Sequence, residues 1–116
     1  MNMIKSIKKV FSNLFNSVNG LKVAFKEHSF ILEIIVGIIL IPFLIIVEID
    51  NINKILIIMT YFVLLAFELI NTSIEKISDK ITKDFDLEIK QIKDLSSSAV
   101  FIIFLLLIII LIVSFV

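Results

Sequence analysis

Three long apolar segments dominate the sequence, and each is long enough to cross a lipid bilayer. They cover residues 30–48, 55–78 and 96–116, and a transmembrane helix needs about 20 predominantly apolar residues. With 59% hydrophobic residues and a mean hydropathy of +1.14, the chain is too apolar for an ordinary soluble domain. Its 116 residues leave room for one domain. We therefore predict an all-α membrane protein with a single domain over residues 1–116 and three transmembrane helices.

The leader, residues 1–28, has a different pattern. Apolar residues recur at spacings of three and four from Ile4 to Phe25, and the charges up to Lys26 are all lysines. Such a pattern is typical of an amphipathic helix that lies in the headgroup layer, with its apolar side against the acyl chains. We expect the leader to be an N-terminal surface helix.

The lysines predict the orientation of the chain in the membrane. Ten of the eleven lie either in the leader or between Lys76 and Lys93, around the second linker. Cytoplasmic loops of membrane proteins carry an excess of lysine and arginine. The N-terminus and the second linker are therefore expected in the cytoplasm, and the C-terminus outside.

A polar stripe interrupts the second apolar segment in the stretch FELINTSIEKISDK, residues 67–80. On a helix, Glu68, Asn71, Thr72, Glu75 and Asp79 fall within an arc of about 100°. A carboxylate that faces lipid tails costs a few kcal/mol, so the stripe has to face protein or water. This placement predicts a functional site.

The residues around the stripe favour phosphoryl transfer. Glu27, Glu68, Glu75, Lys93 and Asp94 are all expected where the bilayer meets the cytoplasm. Carboxylates suit Mg²⁺, and phosphoryl transfer needs a metal ion, a cation and a base.

Several other kinds of site are excluded by composition. The absence of cysteine and the single histidine rule out thiolate and multi-histidine metal centres. Two glycines are too few for a Walker loop or a glycine-rich kinase loop. The net charge of zero gives no reason to expect nucleic acid as a partner.

Three motifs together resemble a known family. FELINTSIEKISD, the downstream IKDLSSSAV and the upstream NGLKVAFKEHSFILE are similar to the small integral-membrane bacterial diacylglycerol kinases, whose sister branch phosphorylates undecaprenol. The resemblance covers nearly the whole chain. It implies a homotrimer in the bacterial cytoplasmic (inner) membrane, with three spans and a surface helix per subunit. It also implies sites shared between neighbouring subunits, with ATP as co-substrate and Mg²⁺ as cofactor.

The resemblance also implies roles for individual residues. Glu68 matches the catalytic base, and Glu27 and Glu75 match the ligands of the divalent metal. The positions matching nucleotide contacts are Lys9, Asn16, Glu27, Glu75, Asp84, Phe85, Asp86, Lys93 and Asp94. The positions matching the lipid headgroup site are Phe30, Glu33, Glu68, Asn71 and Ser97. At position 33 the sequence resembles the diacylglycerol branch, because it has Glu33 where the undecaprenol branch tends to have histidine.

The expected function is ATP-dependent phosphorylation of the primary hydroxyl of diacylglycerol, which gives phosphatidic acid. An undecaprenol kinase of the same family is the main alternative. A small proton-coupled transporter or channel subunit, which also places glutamate inside a helix bundle, and a non-catalytic scaffold are further alternatives. A proton path does not need the cytoplasmic cluster of Glu27, Glu75, Lys93 and Asp94.

Overall fold

Four helices account for most of the chain in the computed structural model, which describes residues 2–116. In chain order they are α1 (Met3–Ala24), α2 (His28–Ile46), α3 (Asn51–Ile81) and α4 (Leu87–Ser114). The predicted all-α class is confirmed.

Three of these helices, α2, α3 and α4, are long and apolar enough to cross a membrane. Three helices that could span a membrane are thus confirmed, by length and composition. Each helix begins before its apolar segment, α2 at His28, α3 at Asn51 and α4 at Leu87, and α3 also continues to Ile81. Asp86 caps α4 by accepting a hydrogen bond from the Ile89 amide at 3.0 Å. Lys93 and Asp94 therefore lie on α4 rather than in the linker.

The three long helices pack around a small apolar core. Leu44 of α2, Ile57 and Leu64 of α3, and Leu107 of α4 form its buried centre. Large apolar side chains cover much of the remaining surface of these helices. That apolar surface can contact either lipid tails or other subunits. The homotrimer therefore remains a prediction.

Helices α2 and α3 are in close contact at Gly37. The ring of Tyr61 lies against the α2 backbone there, so that a Cβ atom on Gly37 would be 2.3 Å from the Tyr61 Cζ atom. The Tyr61 hydroxyl also donates a hydrogen bond of 2.8 Å to the Glu33 carbonyl. The small residue and the phenol together fix the register of the two antiparallel helices.

The N-terminal part of helix α1 extends away from the other three helices, whereas its C-terminal part, from Ser17 to Ala24, lines a cavity together with α3. The structure measures 48 × 47 × 24 Å, and the apolar residues of α1 from Ile4 to Leu21 are exposed. The turn after α1 is anchored, because Phe25 contacts the buried Phe30 edge to face, with ring centroids 5.3 Å apart. The location of α1 at a membrane surface remains a prediction.

Candidate active site

Glu68 is the centre of the candidate site. The residue lies in the middle of α3, about 20 Å from the C-terminal end of that helix at 1.5 Å per residue. It is 5% exposed. The Ser29 hydroxyl donates a hydrogen bond of 2.7 Å to Glu68 Oε1. A buried carboxylate needs such partners, and here the partner comes from the first turn of α2.

Two polar atoms beside Glu68 are buried without a hydrogen-bond partner. They are Glu33 Oε2 on α2 and Asn71 Oδ1 on α3. Glu33 lies one helical turn after Ser29, the residue that contacts Glu68. Buried acceptors without a donor are rare and costly. A ligand that carries a hydroxyl group could satisfy them.

Glu75 lies on the same face of α3 as Glu68, about 10 Å further along the axis. It is exposed, whereas Glu68 is buried. The Asn71 side-chain amide lies between them and donates a hydrogen bond of 3.3 Å to Glu75 Oε1. The two carboxylates therefore lie in different environments and can have different roles.

Glu27 lies next to the same part of α3. It precedes α2 and its carboxylate makes no capping hydrogen bond; instead it forms an ion pair of 3.0 Å with Lys76, the residue after Glu75. Within residues 2–116, no group of three or more acidic or histidine side chains is arranged to hold a metal ion. Glu27 and Glu75 nevertheless fit Mg²⁺, which usually takes one or two protein carboxylates and completes its shell with water and phosphate oxygens.

The second linker and the start of α4 add charged groups near the end of α3. Lys93 forms an ion pair of 2.5 Å with Asp79 of α3, whereas Asp94 pairs with Lys90 on its own helix at 2.6 Å. A cavity of about 180 Å³ lies at the linker. Its lining includes Asp84, Phe85, Asp86 and three lysines, Lys83, Lys90 and Lys93.

Some predicted site residues make no side-chain hydrogen bond or ion pair with the rest of the predicted set within residues 2–116. Lys9 and Asn16 are exposed on α1, and in the described part of the chain neither side chain makes a hydrogen bond or ion pair. Ser97 is exposed on α4. Phe30 is buried against Phe25 and thus also supports the start of α2. A single chain therefore does not bring the whole predicted set together.

Three residues near the site had no predicted role there. Ser29 contacts Glu68, Lys76 contacts Glu27, and Tyr61 holds the backbone of Glu33. For the Tyr61 contact the sequence contains a signal, Gly37, because a glycine within an apolar span is typical of a close helix contact. The partners of Ser29 and Lys76 depend on how α2 and α3 pair.

Comparisons with known proteins are consistent with this arrangement. Residues 15–115 match the family described as prokaryotic diacylglycerol kinase. Two curated relatives from Helicobacter pylori, in strains J99 and 26695, are named diacylglycerol kinase. Each is 36% identical over 102 residues, covering 84% of this chain and 77% of the relative.

Proposed function

Because this membrane protein belongs to the prokaryotic diacylglycerol kinase family and is therefore a lipid kinase, we propose that it transfers the γ-phosphoryl group of ATP directly to the primary hydroxyl of diacylglycerol. The product is phosphatidic acid. Family membership argues against the transporter and scaffold alternatives. Undecaprenol remains the alternative substrate.

The observation that carries this proposal is the environment of Glu68. The carboxylate is buried and already accepts a hydrogen bond of 2.7 Å from an alcohol, the Ser29 hydroxyl. A general base needs the same distance to the hydroxyl that it deprotonates. A carboxylate has two oxygens that accept several hydrogen bonds, so a lipid hydroxyl can bind beside Ser29. Glu68 then takes the hydroxyl proton as that oxygen attacks the γ-phosphorus, the bond from the γ-phosphorus to the β–γ bridging oxygen breaks, and ADP leaves.

The lipid headgroup would bind next to Glu68. The unpartnered Glu33 Oε2 and Asn71 Oδ1 can accept hydrogen bonds from the hydroxyl groups of the substrate. Phe30 and Ser97 complete the proposed headgroup site. The acyl chains can remain in the bilayer, which the apolar surfaces of the helices adjoin.

Nucleotide would bind at the cytoplasmic ends of the helices. Glu27 and Glu75 are the proposed ligands of Mg²⁺, which when bound neutralises phosphate charge and orients the γ-phosphoryl group. The remaining nucleotide contacts are assigned to Lys9, Asn16, Asp84, Phe85, Asp86, Lys93 and Asp94. Three lysines at the linker cavity support a phosphate site there.

A homotrimer would explain why one chain presents an incomplete set. Lys9, Asn16 and Ser97 are exposed, and neighbouring subunits could bring such residues to a shared site. We place the protein in the bacterial cytoplasmic membrane, with the N-terminus and second linker on the cytoplasmic side.

A reconstituted assay with radiolabelled ATP tests the proposed function. The purified protein is offered diacylglycerol and undecaprenol in parallel, at equal mole fractions in mixed micelles. We expect phosphatidic acid to form much faster than undecaprenyl phosphate, because Glu33 occupies the position where the undecaprenol branch tends to have histidine. The opposite ranking would change the substrate but keep the kinase, and labelling of neither lipid would contradict the proposal.

A further inference from the structure

Within residues 2–116, the Glu68 side chain receives one hydrogen bond, from the Ser29 hydroxyl. The two residues lie on different helices, at the start of α2 and in the middle of α3. Glu68 Oε2 receives no hydrogen bond within residues 2–116, and it is not fully buried. Oε1 is therefore held, and Oε2 remains free for a substrate hydroxyl.

The backbone that carries Ser29 is itself fixed. Phe30, the next residue, is 2% exposed and packs against Phe25. Four residues along α2, the Glu33 carbonyl accepts the hydrogen bond from Tyr61 of α3. The first turn of α2 is thus held on both sides of the hydroxyl, so the Ser29 hydroxyl can restrain the flexible Glu68 side chain.

We propose that Ser29 is a positioning residue for the phosphoryl transfer, which holds Oε1 of Glu68 so that Oε2 faces the lipid hydroxyl. This inference rests on the proposed role of Glu68 as the base. Ser29 exchanges no proton with the substrate, and its hydroxyl acts only through the orientation of the carboxylate. Removal of a hydrogen bond to a charged group should lower kcat about tenfold or more.

The test compares five variants by kcat and by KM for MgATP. Ser29→Ala should lower kcat about tenfold and leave the KM for MgATP within about twofold, because Ser29 contacts the base and not the nucleotide site. Ser29→Thr keeps the hydroxyl and should restore most of the loss, since Ser29 is exposed. In the Glu68→Gln background, Ser29→Ala should have no further effect on kcat. Ser73→Ala is the matched control, because the exposed Ser73 hydroxyl bonds to the Leu69 carbonyl of its own helix.

The outcomes separate this inference from the proposed function. A normal kcat in Ser29→Ala, failure of Ser29→Thr to restore activity, or an equal loss in the Glu68→Gln background would each overturn the positioning role alone. Full turnover in Glu68→Gln would overturn the base assignment and the positioning role with it.

Infrared spectroscopy tests the hydrogen bond without any turnover. Ser29→Ala should shift a carboxylate stretching band that Glu68→Gln removes, whereas Ser73→Ala should leave the band in place. An unshifted band in Ser29→Ala would show that Ser29 does not hold Glu68.

Discussion

Substitution of Gly37 by alanine should disturb both the packing and the activity of the protein. The new Cβ atom would lie 2.0 Å from the Tyr61 hydroxyl oxygen and 2.3 Å from Cζ. Carbon atoms pack at about 3.5 Å or more, so either the α2 backbone or the Tyr61 ring has to move by more than about 1 Å. Tyr61 is 3% exposed and its hydroxyl is bonded to the Glu33 carbonyl. The ring therefore has little room to move.

The expected loss of stability follows from these contacts. Overpacking of a close contact costs about 1–3 kcal/mol, and loss of the Tyr61 hydrogen bond adds about 1 kcal/mol. We expect Gly37→Ala to lower the free energy of unfolding by about 2–4 kcal/mol. Because α2 also carries Ser29 and Glu33, a shift of about 1 Å relative to Glu68 should lower turnover by up to about 100-fold.

The assay measures unfolding in SDS mixed micelles by circular dichroism, together with kinase turnover. Gly20→Ala is the matched control, because a Cβ on Gly20 has no atom within 4 Å and alanine favours a helix. Adding Tyr61→Leu to Gly37→Ala removes the clashing ring atoms and should restore part of the lost stability. If Gly37→Ala were as stable and active as Gly20→Ala, the close approach of α2 and α3 would be wrong.

Two further predictions concern metal use and topology. Lys76→Met removes the counter-ion of Glu27, the proposed Mg²⁺ ligand. Because an exposed ion pair contributes at most about 1 kcal/mol, this substitution should lower the Mg²⁺ concentration for half-maximal activity about two- to fivefold. Lys80→Met is the control; a higher Mg²⁺ requirement in Lys76→Met would argue against Glu27 as a ligand. A reporter fused after Val116 should be active on the external side of the membrane, and one inserted near Lys83 should be active in the cytoplasm. The reverse pattern would contradict the predicted orientation, because it would place the proposed nucleotide site on the external side of the membrane.

The helices and the polar face of α3 could be predicted from the sequence for simple physical reasons. Three apolar segments of this length have few alternatives to transmembrane helices. Glu68 and Asn71 had to face away from lipid, and both are buried.

The contacts between helices could not be predicted in the same way. Whether Ser29 reaches Glu68 depends on the register of α2 against α3, which Gly37 and Tyr61 fix through a contact between distant parts of the sequence. The start of α4 also differs from the apolar segment, because the polar residues after Leu87 continue the helix from the Asp86 cap. Hydropathy detects the membrane part of a helix and not its polar extension.

The roles of the two α3 carboxylates can be separated by one comparison. Glu75 is exposed and is the proposed metal ligand, whereas Glu68 is buried and is the proposed base. Glu75→Gln should weaken nucleotide binding and recover in part at high Mg²⁺, because water and phosphate oxygens can replace one ligand.

The most direct test of the central claim is the turnover of Glu68→Gln across a Mg²⁺ titration, with nucleotide binding measured by calorimetry on the same sample. Glutamine keeps the size of the side chain but cannot accept the proton. Since general-base catalysis contributes about 10²- to 10⁴-fold, we expect turnover to fall by at least about 100-fold, with nucleotide affinity nearly unchanged and no recovery at high Mg²⁺. Lost nucleotide affinity together with recovery of turnover at high Mg²⁺ would contradict the assignment of Glu68 as the base.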